Sequence, residues 1–367
     1  MTLRLPRFAL ILLACMLATA ASAMQPARYR VVGYATDWNA IHARTLDRID
    51  TLIFAFAHVE RGRAVVDADA ATRLRRLLAL KRKKPSLEVM ISVGGWGAGG
   101  FSEAAATAES REAFAQSAAH LVATQGADGL DVDWEYPGHG ESGIVSSPAD
   151  RANFPLLLEA LRQALDRAGG KGRHYVLSIA VADGRFADGV DIAAVEPYVD
   201  WFNLMTYDFV NSMTTTTGHH TGLYRSRLAP ADARSADAAV RQFLAAGVSP
   251  GKLLLGAAFY GREFADVQPG HDGLYQTYGH YQGEHPWPEL ERDYIGRNGF
   301  VRHWDPQTKA PWLWNPRTRR FITYDDPESI AAKAAYIKAH HLGGMMYWEQ
   351  THDADGELVD AIWDGLH

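Results

Sequence analysis

The residues 128–137, Asp-Gly-Leu-Asp-Val-Asp-Trp-Glu-Tyr-Pro, hold four carboxylates within eight positions. In an extended strand successive side chains alternate between faces. Leu130, Val132 and Trp134 then share one face, and Asp131, Asp133 and Glu135 share the other. Like charges held together raise one another's pKa, and burial adds to the rise. Glu135, the outermost acid, is therefore the group that keeps a proton near neutral pH and acts as a general acid. Two blander uses of these acids fit less well. Binding of Ca²⁺ or Mg²⁺ fits poorly, because alternating strand residues do not wrap an ion as a loop does. A solvated sheet edge fits poorly with the apolar Leu130 and Val132 between the acids.

Such a strand needs a scaffold that gathers its polar face into a cleft. From residue 30 onward, short β-branched or aromatic runs alternate with amphipathic stretches. Residues 30–35, 51–59, 87–93, 129–134, 174–181, 200–206, 252–260 and 343–348 read as eight strands. Helical periodicity runs through 70–83, 103–125, 153–168, 232–246 and 327–341. Several strands are near-continuous apolar runs, as expected when both faces are covered. The pattern predicts an α/β fold, a (β/α)₈ TIM barrel, with the acids at the C-terminal mouth. A doubly wound sheet is the alternative, but no glycine-rich turn follows the first strand. Residues 263–322, between the seventh and eighth strands, are too long for a plain loop. They predict a small α+β insertion forming a wall of the cleft, so residues 24–367 read as one catalytic barrel interrupted by it.

Of the 367 residues, 47% are hydrophobic and 22% charged, with a net charge of −6 and no polybasic run. That composition disfavours a nucleic-acid partner. Residues 1–23 read as a secretory signal peptide: Arg4 and Arg7 precede the apolar run 8–17, and Ala21-Ser22-Ala23 follows. The expected location is therefore extracellular or periplasmic, with no membrane span. Leu12-Leu13-Ala14-Cys15 also resembles a lipobox, which would anchor a lipid on Cys15 instead. Cys15 is the single cysteine, so disulfides and thiolate metal sites are not expected. The pairs His219-His220 and His340-His341 invite a metal reading, but adjacent side chains point apart. Surface or loop roles are expected for them, with no metal and no cofactor.

The acid stretch resembles the DxxDxDxE signature of glycoside hydrolase family 18, the chitinase family, at Asp128, Asp131, Asp133 and Glu135. Ser92-Val93-Gly94-Gly95, Met205-Thr206-Tyr207-Asp208, Phe259-Tyr260-Gly261-Arg262 and Met346-Tyr347-Trp348-Glu349 correspond to further family elements, in barrel order. Residues 263–322, with Trp314-Asn315-Pro316 and the exit Tyr324-Asp325-Asp326, resemble the insertion domain of the deep-cleft subfamily. The resemblance implies a secreted, monomeric chitinase acting on chitin or N-acetylglucosamine oligomers by substrate-assisted retaining hydrolysis. Glu135 would be the proton donor, Asp133 the partner of the acetamido nitrogen, and Asp131 the group tuning Asp133 from below. Tyr207 would hold the acetamido oxygen, and Trp348 would form the floor under the reacting sugar. Substrate contacts would come from Met205, Asp208, Arg262, Tyr34, Phe56, Tyr136, Trp96 and Tyr260. Two other readings stay open: an endo-β-N-acetylglucosaminidase acting on N-glycan cores or peptidoglycan, and a carbohydrate-binding lectin on the same fold. The intact Glu135 disfavours the lectin.

Overall fold

The computed structural model describes residues 29–37 and 41–367; the expected signal segment and Cys15 lie outside them. The near-continuous apolar runs form parallel strands buried on both faces. These are β1 (Arg30–Ala35), β2 (Thr51–Glu60), β4 (Glu88–Gly94), β5 (Gly129–Asp133), β6 (Val176–Val181), β7 (Trp201–Leu204), β8 (Leu253–Ala258) and β14 (Gly344–Trp348). A short β3 (Arg63–Val65) folds back antiparallel on β2. The hydrogen-bonded order β1-β14-β8-β7-β6-β5-β4-β2, with β2 pairing again to β1, closes an eight-stranded barrel.

The period of two divides the core into layers. Leu130, Val132 and Trp134 of the β5 segment join the outer core, as do Met345 and Tyr347 of β14. Val32, Tyr34, Met90, Leu254 and Met346 fill the barrel interior. The outer layer is covered by helices that include Ala68–Leu78, Ala108–Gln125, Asp150–Gly169, Ala236–Ala245, Pro327–Ala339 and Glu357–Leu366. The continuous helix expected over 103–125 is two helices, Phe101–Ala106 and Ala108–Gln125. Thr107 between them has extended backbone (φ −124°, ψ 164°), and its hydroxyl accepts from the Ser110 N–H in a capping box. An N-cap of this kind starts a new helix where apolar periodicity alone reads straight through.

Between β8 and β14 the chain builds a five-stranded antiparallel sheet in the order β10-β9-β13-β12-β11. Its strands are β9 (Tyr260–Ala265), β10 (His280–Pro286), β11 (Val301–Asp305), β12 (Ala310–Asn315) and β13 (Arg320–Thr323). One helical turn, Trp287–Glu289, runs into a π-turn at Leu290–Tyr294. The sheet begins at Tyr260, two residues after the end of β8, so the insert grows directly out of the C-terminal end of the barrel strands. Its packing is shared with the barrel: Trp287, Leu290, Leu313, Ile322 and Tyr324 join the main core. Phe264, Val267, Leu274, Trp312, Trp314 and Phe321 form a core of the insert's own. At its exit, the Lys333 ammonium reaches Asp325 Oδ2 and Thr221 Oγ1, both at 2.5 Å, with Lys333 and Asp325 completely buried. Among the described residues no helix is long and apolar enough to cross a membrane.

Candidate active site

Asp131 lies at the bottom of the site, fully buried, where β5 is flanked in register by Ser92 of β4 and Ser178 of β6. Its Oδ2 accepts from Ser92 Oγ at 2.7 Å and the Tyr34 hydroxyl at 2.9 Å. Its Oδ1 accepts from Ser178 Oγ at 2.6 Å and Asn203 Nδ2 at 3.1 Å. The proton positions follow from the donors. Trp201 Nε1, which can only donate, bonds Asn203 Oδ1 and fixes the amide with its nitrogen towards Asp131. Asn203 Nδ2 also donates to the Tyr34 hydroxyl, so that hydroxyl turns its own proton to Asp131. Burial raises the Asp131 carboxyl above its ordinary value, and the bonds from Ser178, Ser92, Tyr34 and Asn203 oppose the rise.

Above it, Asp133 is buried, and its Oδ1 meets no hydrogen-bonding group among the described residues. Burial, then the nearby charges of Glu135 and Asp131, push this carboxyl well above the usual carboxylate range. Glu135 follows at the end of β5, half-buried at the mouth. Burial lifts its carboxyl to about 7, opposed by a hydrogen bond from Tyr136 and assisted by the charge of Asp208. The column therefore runs from a carboxyl served by four donors in the depth to one disposed to hold a proton near neutral pH at the mouth.

A cleft of about 520 Å³ opens over this column. Tyr207, just beyond β7, is buried in its wall with its hydroxyl 3.7 Å from Met346 Sδ. Trp348 lines the floor, stacked on Phe56 at 5.7 Å and tilted against Tyr34 at 5.7 Å. On another side Tyr136 stacks on Phe186 at 4.5 Å, and Trp96, 53% exposed, meets Tyr136 edge-on at 6.2 Å. Flat apolar faces of this kind suit the C–H faces of pyranose rings.

The wall on the insert side is ionic. Arg262 Nε and Nη2 grip Asp208 Oδ1 and Oδ2 at 2.5 and 2.6 Å, a two-pronged pair with geometric as well as electrostatic strength. Tyr260 donates to Asp208 Oδ1 at 2.7 Å, and Arg262 Nη1 reaches the Tyr281 hydroxyl at 2.5 Å. Burial would raise the Asp208 carboxyl, but His220 and Arg262 together hold it well below the usual carboxylate range. Glu284 of β10 faces the cleft beside them.

Twelve of the residues singled out in the sequence line this one cleft: Glu135, Asp133, Tyr207, Trp348, Met205, Asp208, Arg262, Tyr34, Phe56, Tyr136, Trp96 and Tyr260. Asp131 lies beneath them. Asp208 and Arg262 are bound chiefly to each other, which leaves fewer of their polar atoms for sugar hydroxyls than the sequence reading expects. The histidine pairs occupy loop positions as expected, but not all of them lie at the surface. His340 and His341 are exposed, but His219 and His220 are buried loop residues, because His220 packs between Asp208 and Tyr260 and His219 beside Asp305. Among the described residues no group of three or more His, Cys, Asp or Glu is arranged to hold a metal ion. Sequence reasoning missed Ser178, Asn203, Phe186, Glu284 and the Arg234–Asp183 pair at the rim. Ser178 and Asn203 left a readable signal, each being the lone polar residue of a buried strand, Val-Leu-Ser-Ile-Ala-Val and Trp-Phe-Asn-Leu.

Comparison with known proteins places this geometry. Chitinase A1 of Niallia circulans is 39% identical over 313 residues, which cover 81% of this chain and 45% of that one. Chitinase B of Serratia marcescens is 31% identical over 364 residues, 82% of this chain and 71% of that one. The chain thus spans less than half the length of chitinase A1. A solved glycoside hydrolase family 18 N-acetylglucosaminidase from Paenibacillus barengoltzii superposes with a TM-score of 0.88 at 44% identity, covering 92% of this chain and 100% of that one. The sequence pattern described as glycosyl hydrolases family 18 matches residues 30–353. Since that match runs through every strand of the barrel and the whole insert, the chain belongs to glycoside hydrolase family 18.

Proposed function

We propose that this glycoside hydrolase is a secreted chitinase, cutting β-1,4 bonds between N-acetylglucosamine units with the substrate's own acetamido group as nucleophile. The observation that carries the reading is the state of the carboxylates around the cleft. Glu135 holds a transferable proton near neutral pH. Asp133 is buried and strongly disfavoured as an anion, and Asp208 has both oxygens held by Arg262. Neither is a free carboxylate ready to attack an anomeric carbon, as a two-carboxylate retaining mechanism requires.

In the first step Glu135 protonates the glycosidic oxygen, the bond from that oxygen to the anomeric carbon breaks, and the acetamido oxygen bonds the same carbon. An oxazolinium ion results. Tyr207 donates its hydroxyl to the acetamido oxygen and keeps it in line. Asp133, through the Oδ1 that has no other partner among the described residues, accepts the acetamido N–H, and the field of Asp131 beneath it favours the positive charge developing there. Stabilising developed charge in a dry site is usually the largest catalytic contribution. Water then attacks the anomeric carbon, the bond from that carbon to the acetamido oxygen breaks and restores the acetamido group, and the water's proton passes to the Glu135 carboxylate. Trp348 supports the reacting sugar, and Phe56, Trp96, Tyr136 and Met205 extend the grip. The leader-like residues 1–23 support action outside the cytoplasm.

A second reading, release of single N-acetylglucosamine units, is supported by the likeness to the Paenibacillus barengoltzii N-acetylglucosaminidase over that protein's full length. It uses the same chemistry on a shorter grip. Early-time proton NMR of cleavage products from defined N-acetylglucosamine oligomers tests the mechanism, and product lengths separate the two readings. New reducing ends should carry the β configuration. An initial α-anomer, or efficient cleavage at units lacking the acetyl group, would rule out acetamido participation.

A further inference from the structure

The negative groups around the cleft are almost all accounted for. Asp131 is saturated by four neutral donors, Asp133 is held towards its neutral form by burial, and Asp208 is gripped by Arg262. Asp183, at the rim, is held by Arg234. Glu284 is different. It faces the cleft from β10 with its side chain 50% exposed. Its nearest cationic atom, Arg262 Nη1, is 4.0 Å away, and that guanidinium is already engaged by Asp208 and by the Tyr281 hydroxyl. The carboxylate on the insert's wall thus has one ion-pair partner, at 4.0 Å and shared with Asp208, and half of its side chain is open to the cleft.

We infer that Glu284 is a specificity-determining residue that recognises the ammonium group of a deacetylated unit, so that partly deacetylated chains are a preferred substrate class. The inference rests on the proposed reading of the enzyme as acting on N-acetylglucosamine polymers. In such a polymer the neutral acetamido groups offer no charge, and a cation arises only where an acetyl group is missing. The reacting unit must keep its acetyl group, because that group is the nucleophile. The ammonium therefore belongs to a different unit of the same chain, one lying against the insert. Carboxylate–ammonium hydrogen bonds are stronger than those to neutral hydroxyls. The excess is modest at a half-exposed site, where an ion pair contributes up to a factor of about five.

The test compares two pentamers, one fully acetylated and one with a single glucosamine at a defined interior position, in the wild type and in Glu284→Gln. The quantity read is the ratio of kcat/KM for the mixed pentamer to that for the acetylated one. Glu284→Gln keeps the shape and removes the charge, so this ratio should fall about five-fold. Raising the salt from 0.05 to 0.5 M (values on the order of those that shrink the screening length several-fold) should compress the ratio in the wild type and leave it flat in the variant. A ratio that is the same in both proteins overturns the assignment, whether Glu284 contacts hydroxyls or nothing at all. If the wild type leaves the fully acetylated pentamer and longer acetylated chains intact, the chitinolytic reading itself fails, and the inference falls with it.

Discussion

Ser178→Ala isolates one bond in the foundation of the site. Ser178 Oγ donates to Asp131 Oδ1 at 2.6 Å, and neither residue has any exposed surface. The substitution removes one oxygen, adds no bulk, and leaves Oδ1 with the Asn203 amide alone. A hydrogen bond to a buried charged group contributes about 1.5–3 kcal/mol, against about 0.5–1.5 kcal/mol between neutral groups. The variant should therefore lose about 1.5–3 kcal/mol of stability where Asp131 is ionised. The loss should depend on pH, with a definite sign. The Ser178 bond lowers the Asp131 pKa, so the wild type binds this proton less readily than the variant does. Its advantage is present at pH values where Asp131 is charged and shrinks as pH falls through the range where Asp131 takes up its proton. Urea midpoints of both proteins at a series of pH values provide the assay. A loss that stays constant across that series, or one below about 0.5 kcal/mol at every pH, would refute an ionised Asp131 held by its donors.

Four other outcomes are expected. Glu135→Gln should lower kcat by about 10²–10⁴-fold while oligomer binding measured by calorimetry persists, because only the transferable proton is lost; near-wild-type turnover would remove Glu135 from its role. The kcat/KM profile should fall as pH rises through about 7, where Glu135 loses its proton. Asp208→Asn should move that limb to lower pH, because a negative neighbour that disfavours the Glu135 anion is gone; an upward move would contradict the field described here. Lys333→Met should cost about 3–5 kcal/mol in denaturant unfolding, since it leaves the buried Asp325 without its cation.

The parts of the molecule legible in the sequence were those written in a period. Alternation in residues 130–135 separated the acids from Leu130, Val132 and Trp134, and the two sets do enter different layers. Apolar runs located the eight barrel strands to within a few residues, and excess length exposed the insert. Contacts between distant positions were not legible. Asn203 and Tyr34, 169 residues apart in sequence, meet under the acids because β7 and β1 face one barrel interior. No local pattern encodes that meeting. His220 looked like a loop residue and is one, but the chain crossing above it buries the ring: its backbone N–H bonds Thr323 Oγ1 at the end of β13. The insert read as a small α+β unit forming a wall of the cleft, with nothing in its pattern to show a shared core. Its Trp287, Leu290 and Ile322 are instead continuous with the barrel core, so deletion would open that core to water.

The choice of partners for each acid fits the proposed role of Glu135 as proton donor. A lysine or arginine beside Asp131 would satisfy its charge more simply than two serines, a tyrosine and an asparagine. It would also place a positive charge beneath Asp133 and Glu135, favour their anions, and draw the proton off Glu135 at neutral pH. Neutral donors solvate Asp131 while leaving its field intact, and that field is part of what keeps Asp133 from ionising. The cations stand to the side instead. Arg262 takes both oxygens of Asp208, and Arg234 takes Asp183. A lateral Asp208 that stays charged still pushes the Glu135 pKa upward, so pairing it with Arg262 fixes its position without silencing it. In the proposed mechanism the barrel thus supplies the column from which the proton moves, and the insert, through Arg262 and Glu284, supplies charges that stay.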